Sequence, residues 1–315
     1  MIFLLQQMLF FSMPLLVVAV GGLFSEKSGV VNIALEGLMI FGAFCGILFL
    51  FFIEGRIDGQ FVLVLAMIIA SAGGMLLGLM HAYASVSMKA NQAISGMALN
   101  IIAPALAVFV ARQVTPSELI PFRQRFVIRE VPILSDIPII GPILFERAYI
   151  TTYVALTVFV IALIVVRSTR FGLRLRASGE HPHSLESSGV SVQKVRYTSV
   201  LISGALAGLG GIVFFIPTSG EFSAQVSGYG FLAIAVLVFS KWNIKRIIWI
   251  SFFFGLMQTI AATHSSLVYV RDLDFIPSEF YKMLPYVATI IVLSFSRGAS
   301  PAPSAIGIPY DVSER

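Results

Sequence analysis

"EHPHSLESSG", residues 180–189, is a polar stretch set between two apolar runs, about 149–166 and about 198–217, each near the length that crosses a bilayer. Pro182 suits the first turn of a helix, where its missing N–H would have no partner anyway. Glu180 stands ahead of that turn, where the helix dipole favours an anion. Gly189 supplies the left-handed residue on which helices end. The helix so bounded has about two turns and is too short to be stable alone in water, so it must pack on something. Arg167, Arg170, Arg174 and Arg176 precede it, and Lys194 and Arg196 follow. Two readings fit: a lip packed on the protein's own surface, or a knob held by a soluble partner. The residues themselves leave both open.

The surroundings place this helix in a membrane protein. Of 315 residues 57% are hydrophobic and 12% charged, and mean hydropathy is +0.92, whereas soluble domains carry about 25% charged residues. Besides the two runs already given, apolar runs lie at about 3–24, 30–53, 61–85, 94–115, 229–243, 247–265 and 281–296. They predict an all-α polytopic bundle of about nine spans, with a margin of about one either way; the run from 229 is short, and 28–37 could be re-entrant. The first 25 residues carry no charge. A cleaved signal peptide wants a basic start, so the first run is expected to be a retained span.

Basic residues set the orientation. The segment 167–197 holds six Lys and Arg and the short turn with Lys241, Lys245 and Arg246 holds three, which predicts both to be cytoplasmic. Alternation then puts Lys27, Lys89 and the C-terminus inside, and the N-terminus and the loop 116–148 outside. That loop holds Arg123, Arg125, Arg129 and Arg147 and is the weak point of the scheme, although Glu118, Glu130, Asp136 and Glu146 offset their charge. The transmembrane domain is therefore 1–297. The remainder, 298–315, is rich in Pro and Ser and is expected to be a disordered cytoplasmic tail. The net charge of +5 reflects this orientation bias and not nucleic-acid binding. The single cysteine, Cys45, has no partner for a disulfide or a metal site.

The two halves are faintly alike. "MPLLVVAVGGLFSEKSGVVNI" resembles "VLISGALAGLGGIVFFIPTSGEF", and "GMLLGLMHAY" resembles "SFFFGLMQTI", in the same order. With Ser28-Gly29 inside and Ser219-Gly220 outside, the repeat would be inverted, a common transporter plan with the solute path between the halves. "SGALAGLGG", residues 203–211, carries Gly204 and Gly208 at the spacing that lets helix backbones approach closely in lipid.

Polar residues inside apolar runs are the candidate solute path. Asn32 and Glu36 are four apart and would share a helix face. An ionisable group in a span costs about 2.5–3.5 kcal/mol at mid-bilayer, so Glu36 must face protein or water. Asn91, Gln92, Ser95 and Asn100 cluster at the start of the fourth run, and Gln225 with Ser227 are weaker candidates in the second half. Amides can bind a neutral polar solute, or equally bond helix to helix. No GxxxxGK[ST] occurs, so this chain does not bind ATP through a P-loop. HExxH, GxSxG and paired cysteines are also absent, and nothing points to an enzyme active site or a metal centre. The rival class is a stand-alone ion-coupled transporter with Glu36 as its ion or proton site.

Five blocks then carry a family resemblance. They are "SEKSGVVNIALEGLMIFGAF" (25–44), "KANQAISGMALNIIAPAL" (89–106), "LSDIPIIGPILFE" (134–146), the run from Arg170 to Gly211, and "GYGFLAIAVLVFSKWN" (228–243). In order and spacing they resemble the permease subunits of bacterial ATP-binding-cassette (ABC) importers of the ribose and branched-chain amino acid superfamily, in the branch served by a basic membrane lipoprotein. The resemblance implies an inner-membrane permease that carries a nucleoside, a simple sugar or riboflavin. Its implied partners are a second permease subunit, an external solute-binding lipoprotein and a cytoplasmic subunit that binds ATP and magnesium. This chain would need no cofactor of its own. The resemblance also implies that the opening stretch is a coupling helix at about 182–188, with Ser184, Leu185 and Glu186 as contact candidates and Glu180, Pro182 and Gly189 framing it.

Overall fold

The computed structural model describes residues 2–57, 59–122, 126–138, 140–263, 278–295 and 302–311. Helix α1 (Ile2–Lys27) is apolar all round and almost continuously buried from Ser12 to Glu26. A helix without a polar face belongs in the middle of a bundle. The long α9 (Val192–Thr218) packs along it, and so do α6 (Ile150–Ser168), α10 (Tyr229–Phe239) and α11 (Ile244–Thr263).

On the other flank of α9 lie α2 (Leu35–Ile53) and α3 (Gln60–Ala82), the latter ending in a π-helical turn at Tyr83–Ser87. Here three backbones meet through glycine. A Cβ on Gly208 would sit 3.0 Å from the Cα of Gly74 and press on the carbonyl of Ala70, and a Cβ on Gly42 would sit 2.8 Å from that same oxygen. Only residues without side chains allow that approach, as the small-residue stripe at 203–211 led one to expect.

Helix α4 (Gln92–Val114) packs on α2 by one side and leaves Ile94, Ile101 and Phe109 exposed. After it come β1 (Ile120–Pro121), β2 (Val127–Glu130), α5 (Ile140–Leu144) and β3 (Glu146–Tyr149). Strand β1 pairs antiparallel with β4 (Glu221–Phe222), and β2 pairs antiparallel with β3. These short pairings are the only strands among the described residues, and the fold is an all-α bundle. They also bring the loop 116–148 and the link 219–228 to one end of it.

The other end is basic. It holds α7 (Arg170–Glu180) and α8 (Pro182–Ser187). The indole of Trp242, after α10, donates to the buried carboxylate of Glu26 at the end of α1 (2.6 Å). The segment 167–197, Lys27 and the turn with Lys241 thus share one end, the grouping on which the orientation rule rests.

Among the described residues, seven helices are long and apolar enough to cross a membrane: α1, α2, α3 with its π turn, α4, α6, α9 and α11. The expected count of about nine is not reached by that measure. Helix α10 has 11 residues, about 16 Å of rise, against a hydrocarbon core of about 30 Å. Helix α12 (Ser278–Phe295) has 18. The run expected at 30–53 is helical only from Leu35, because residues 28–34 form an irregular link. A long helix, an irregular link and two further helices occur in order both as α1–α2–α3 and as α9–α10–α11.

Part of the segment expected to be a disordered tail, 302–311, is described. This segment folds back on the basic end, with the Ala305 N–H donating to Gly179 O (2.8 Å) and the Gly307 N–H to Gly29 O (3.0 Å). Positions 298–301 and 312–315, like 123–125 of the loop, fall outside the described residues.

Candidate functional site

The site is built around the irregular link 28–34. Helix α1 stops at Lys27, and Gly29 adopts φ +98°, which breaks the helix. Irregular backbone in an apolar bundle needs a partner for every N–H and C=O. Side chains supply them. Gln92 Oε1 accepts from the Val31 N–H (2.7 Å), and a ring nitrogen of the buried His81 meets Val31 O (3.0 Å). The other nitrogen of that ring lies 3.1 Å from Ser95 Oγ. Asn100 donates to Ile33 O (2.9 Å) and accepts from the Gly37 N–H (2.8 Å). Asn32 donates to Ser203 Oγ on α9 (2.8 Å) and accepts from the Ala34 N–H (3.1 Å).

Most of the amides singled out from sequence therefore hold the link in place. Asn91 serves another purpose, because its side chain caps α4, accepting from the N–H groups of Ala93 and Ile94. The shared helix face of Asn32 and Glu36 is also corrected, since Asn32 lies in the link and not on α2. His81 was not singled out, although a lone histidine in an apolar run already calls for a polar partner.

Glu36 sits in the first turn of α2 and reaches α10. One carboxylate oxygen accepts from the Gly228 N–H (2.9 Å) and the other from the Gly230 N–H (2.6 Å). These are N–H groups at the start of α10, which carry the positive end of its dipole and have no partner within the helix. Glycine is needed on both sides of the clamp. Gly228 has φ +78°, and a Cβ on Gly230 would lie 2.8 Å from a Glu36 oxygen. From this clamp α10 runs about 16 Å to the basic end, about half the thickness of a hydrocarbon core of about 30 Å.

A cleft of about 670 Å³ opens beside the clamp, lined by Glu36, Ile40, Ile101, Val108, Gln225 and Ser227, with Glu118 also at its edge. Of the residues expected along a solute path, Glu36, Gln225 and Ser227 line it; Asn32, Asn91, Gln92, Ser95 and Asn100 do not. Glu118 escaped notice because it falls in a loop, where a carboxylate is unremarked. The cleft is a mostly apolar slot that also presents amide, hydroxyl and carboxylate groups.

At the basic end, α8 begins on Pro182 and ends before Gly189, at φ +82°. Ser184 and His183 are exposed, but Leu185 is only 6% exposed and packs on Val192, Val195 and Tyr310. The Glu186 carboxylate turns inward and accepts from the Val192 N–H at the start of α9 (2.8 Å). Leu185 thus fastens α8 to its own bundle and the half-buried Glu186 ties it to α9, while His183, Ser184 and Ser187 are exposed on its outward side. The Glu180 carboxylate accepts from Ser304 Oγ (2.8 Å).

Comparison with known proteins gives the family and the fold. Residues 4–293 match the family described as branched-chain amino acid transport system / permease component. The chain is 40% identical over 307 residues to the guanosine ABC transporter permease protein NupQ of Bacillus subtilis, covering 96% of this chain and 94% of that one. It is 38% identical over 304 residues to the nucleoside ABC transporter permease protein NupC of Lactococcus lactis, covering 96% and 95%. A solved ABC transporter in an inward-facing conformation shares the fold, with a TM-score of 0.50 at 16% identity over 93% of this chain and 84% of that one.

Proposed function

The chain belongs to the branched-chain amino acid transport system permease family and is a multi-pass permease subunit of an ABC transporter; we propose that the solute it passes is a nucleoside. The observation that carries this reading is the clamp at Glu36. Half-helix N-termini at the midplane of transporters commonly face an anionic group of the substrate. Here the protein's own carboxylate occupies that place. The cleft therefore offers no free anion site and suits a neutral solute with an apolar ring and hydrogen-bonding edges, as in the solutes for which NupQ and NupC are named.

The basic end is the cytoplasmic one by the excess of Lys and Arg, which leaves the N-terminus outside and the tail inside. There α8 is the coupling helix, docking through Ser184 and His183 onto a separate subunit that binds ATP and magnesium and hydrolyses the nucleotide. Its closure moves α8 and changes the side to which the bundle opens. An external lipoprotein delivers the solute at the loop end. The apolar face of α4, with Ile101 and Phe109, suits a second, different permease subunit that completes the path. A metal-cation site at Glu36 has the geometry against it: both oxygens already accept from N–H donors, whereas a cation site would assemble further oxygen ligands.

Competition for uptake tests the solute. In cells carrying the whole transporter, unlabelled nucleosides should displace radiolabelled guanosine, and guanosine 5′-monophosphate should be at least about tenfold weaker, a difference of about 1.4 kcal/mol. Equal competition by the monophosphate, or by glucose, would contradict the assignment.

A further inference from the structure

We propose that residues 302–311 are a strap that ties the coupling helix to the link 28–34, so that movement of α8 is passed to the Glu36 clamp. The proposal rests on the docking reading of α8 given above. It starts from the segment's partners. At its beginning, Ser304 and Ala305 bond to Glu180 and to Gly179 O, the last two residues of α7, one residue short of α8. In its middle, Gly307, at φ +76°, donates to Gly29 O in the turn that opens the link. One residue later, Ile308 O accepts from Arg196 of α9 (2.9 Å). At its end, Asp311 pairs with Lys89, just ahead of α4.

Tyr310 is the centre of the arrangement. It is 7% exposed and packs with Leu185, Val192 and Val195, so the buried side of α8 rests partly on the tail. Its ring lies 5.2 Å from that of His183. The guanidinium of Arg196 stands 6.0 Å from its ring centre. Arg196 is 1% exposed, and among the described residues its Nε and Nη2 have no hydrogen-bond partner. A buried cation is costly unless something receives it, and the receivers here are the ring face and a carbonyl of the tail. An arginine spent in this way fixes the strap more firmly than a polar contact at the surface would.

The sequence of contacts gives the strap its direction of action. Coupling helix α8 touches Tyr310, the tail bonds to Gly29, Gly29 opens the link, and the link leads within a few residues into Glu36 and its hold on α10. Residues 302–311 therefore join the point where a motor would pull to the point where the path would open. Tyr310 and Arg196 are positioning residues: neither lines the cleft.

The test uses the complete transporter in proteoliposomes, with Cys45→Ala as background and Ser184→Cys carrying a photoreactive maleimide to report docking. With the native tail, the labelled position on α8 should cross-link to the ATP-binding subunit. Tyr310→Ala should keep that cross-link and keep ATP hydrolysis within about twofold, while uptake per ATP hydrolysed falls at least about tenfold. Tyr310→Phe, which keeps the ring, should restore the ratio. A merely structural tail would lower uptake and hydrolysis together and leave the ratio unchanged, and that result overturns the strap, as does wild-type uptake in Tyr310→Ala. Absence of the cross-link with the native tail overturns the docking reading, and the strap with it. Should Tyr310→Ala fail to fold, Gly307→Ala, which strains the turn at φ +76° without emptying the core, takes its place with the same expected loss of uptake per ATP and the same contrary results.

Discussion

Glu36→Ala should abolish transport and lower the melting temperature of the purified subunit in detergent. The substitution removes the acceptor for two N–H groups, those of Gly228 and Gly230, in the interior of the bundle. Each donor left unpaired costs about 1–3 kcal/mol, and bonds to a charged acceptor stand at the upper end. Together they are a large fraction of a typical folding free energy of about 5–15 kcal/mol. The loss falls on a short element, because α10 has only 11 residues and begins at the clamp. Its start and the cleft-lining residues Gln225 and Ser227 should move with it. Glu36→Gln should fall between, since the amide keeps one acceptor but turns an NH2 toward a donor. Uptake of labelled guanosine, with thermal unfolding followed in parallel, measures both effects. Wild-type uptake in the alanine variant would contradict the role given to the clamp.

Gly208→Val should be at least as severe, and for a different reason. A Cβ there presses on the carbonyl of Ala70 and stands 3.0 Å from the Cα of Gly74, so the obstacle is backbone on both counts. Overpacking with side-chain neighbours costs about 1–3 kcal/mol. Backbone cannot turn aside by changing rotamer, so α3 and α9 must separate and the cost lies at or above the top of that range. The expected result is little folded protein, read as loss of the monodisperse peak in fluorescence-detected size exclusion. Gly220→Ala is the control. Nothing lies within 4 Å of its Cβ position, and it should behave as wild type. A normal Gly208→Val peak would mean that the three-helix contact is looser than it is drawn here.

How much of this could be read in the sequence depended on whether a signal was local. Pro182 and Gly189 punctuate α8 on their own, so its place and length were legible, and the glycines at 204 and 208 announced a close helix contact. The amides misled because their spacing was read on a helix that is not there. Asn32 and Glu36 are four apart, but Gly29 ends α1 and the chain stays irregular to Ala34. Asn32, Gln92 and Asn100 then serve the backbone of that link, a need that appears only once the link is known to be buried. Leu185 and Glu186 point inward because Tyr310 and the start of α9 are there to meet them, and Tyr310 is distant in sequence. The contacts of 302–311 are illegible in the sequence for the same reason. A run of Pro and Ser has too little apolar surface to fold alone, and its order comes from Arg196, Gly179 and Gly29, more than a hundred residues away.

The proposed function makes this subunit a gate worked from its inner face by ATP. It is tested most directly by uptake of labelled guanosine into proteoliposomes holding the reconstituted transporter and its solute-binding lipoprotein, with ATP enclosed and ion gradients collapsed by ionophores. Uptake should need ATP and should stop when the ATP-binding subunit is inactivated. Uptake that follows a proton or sodium gradient and persists with that subunit inactive would contradict it.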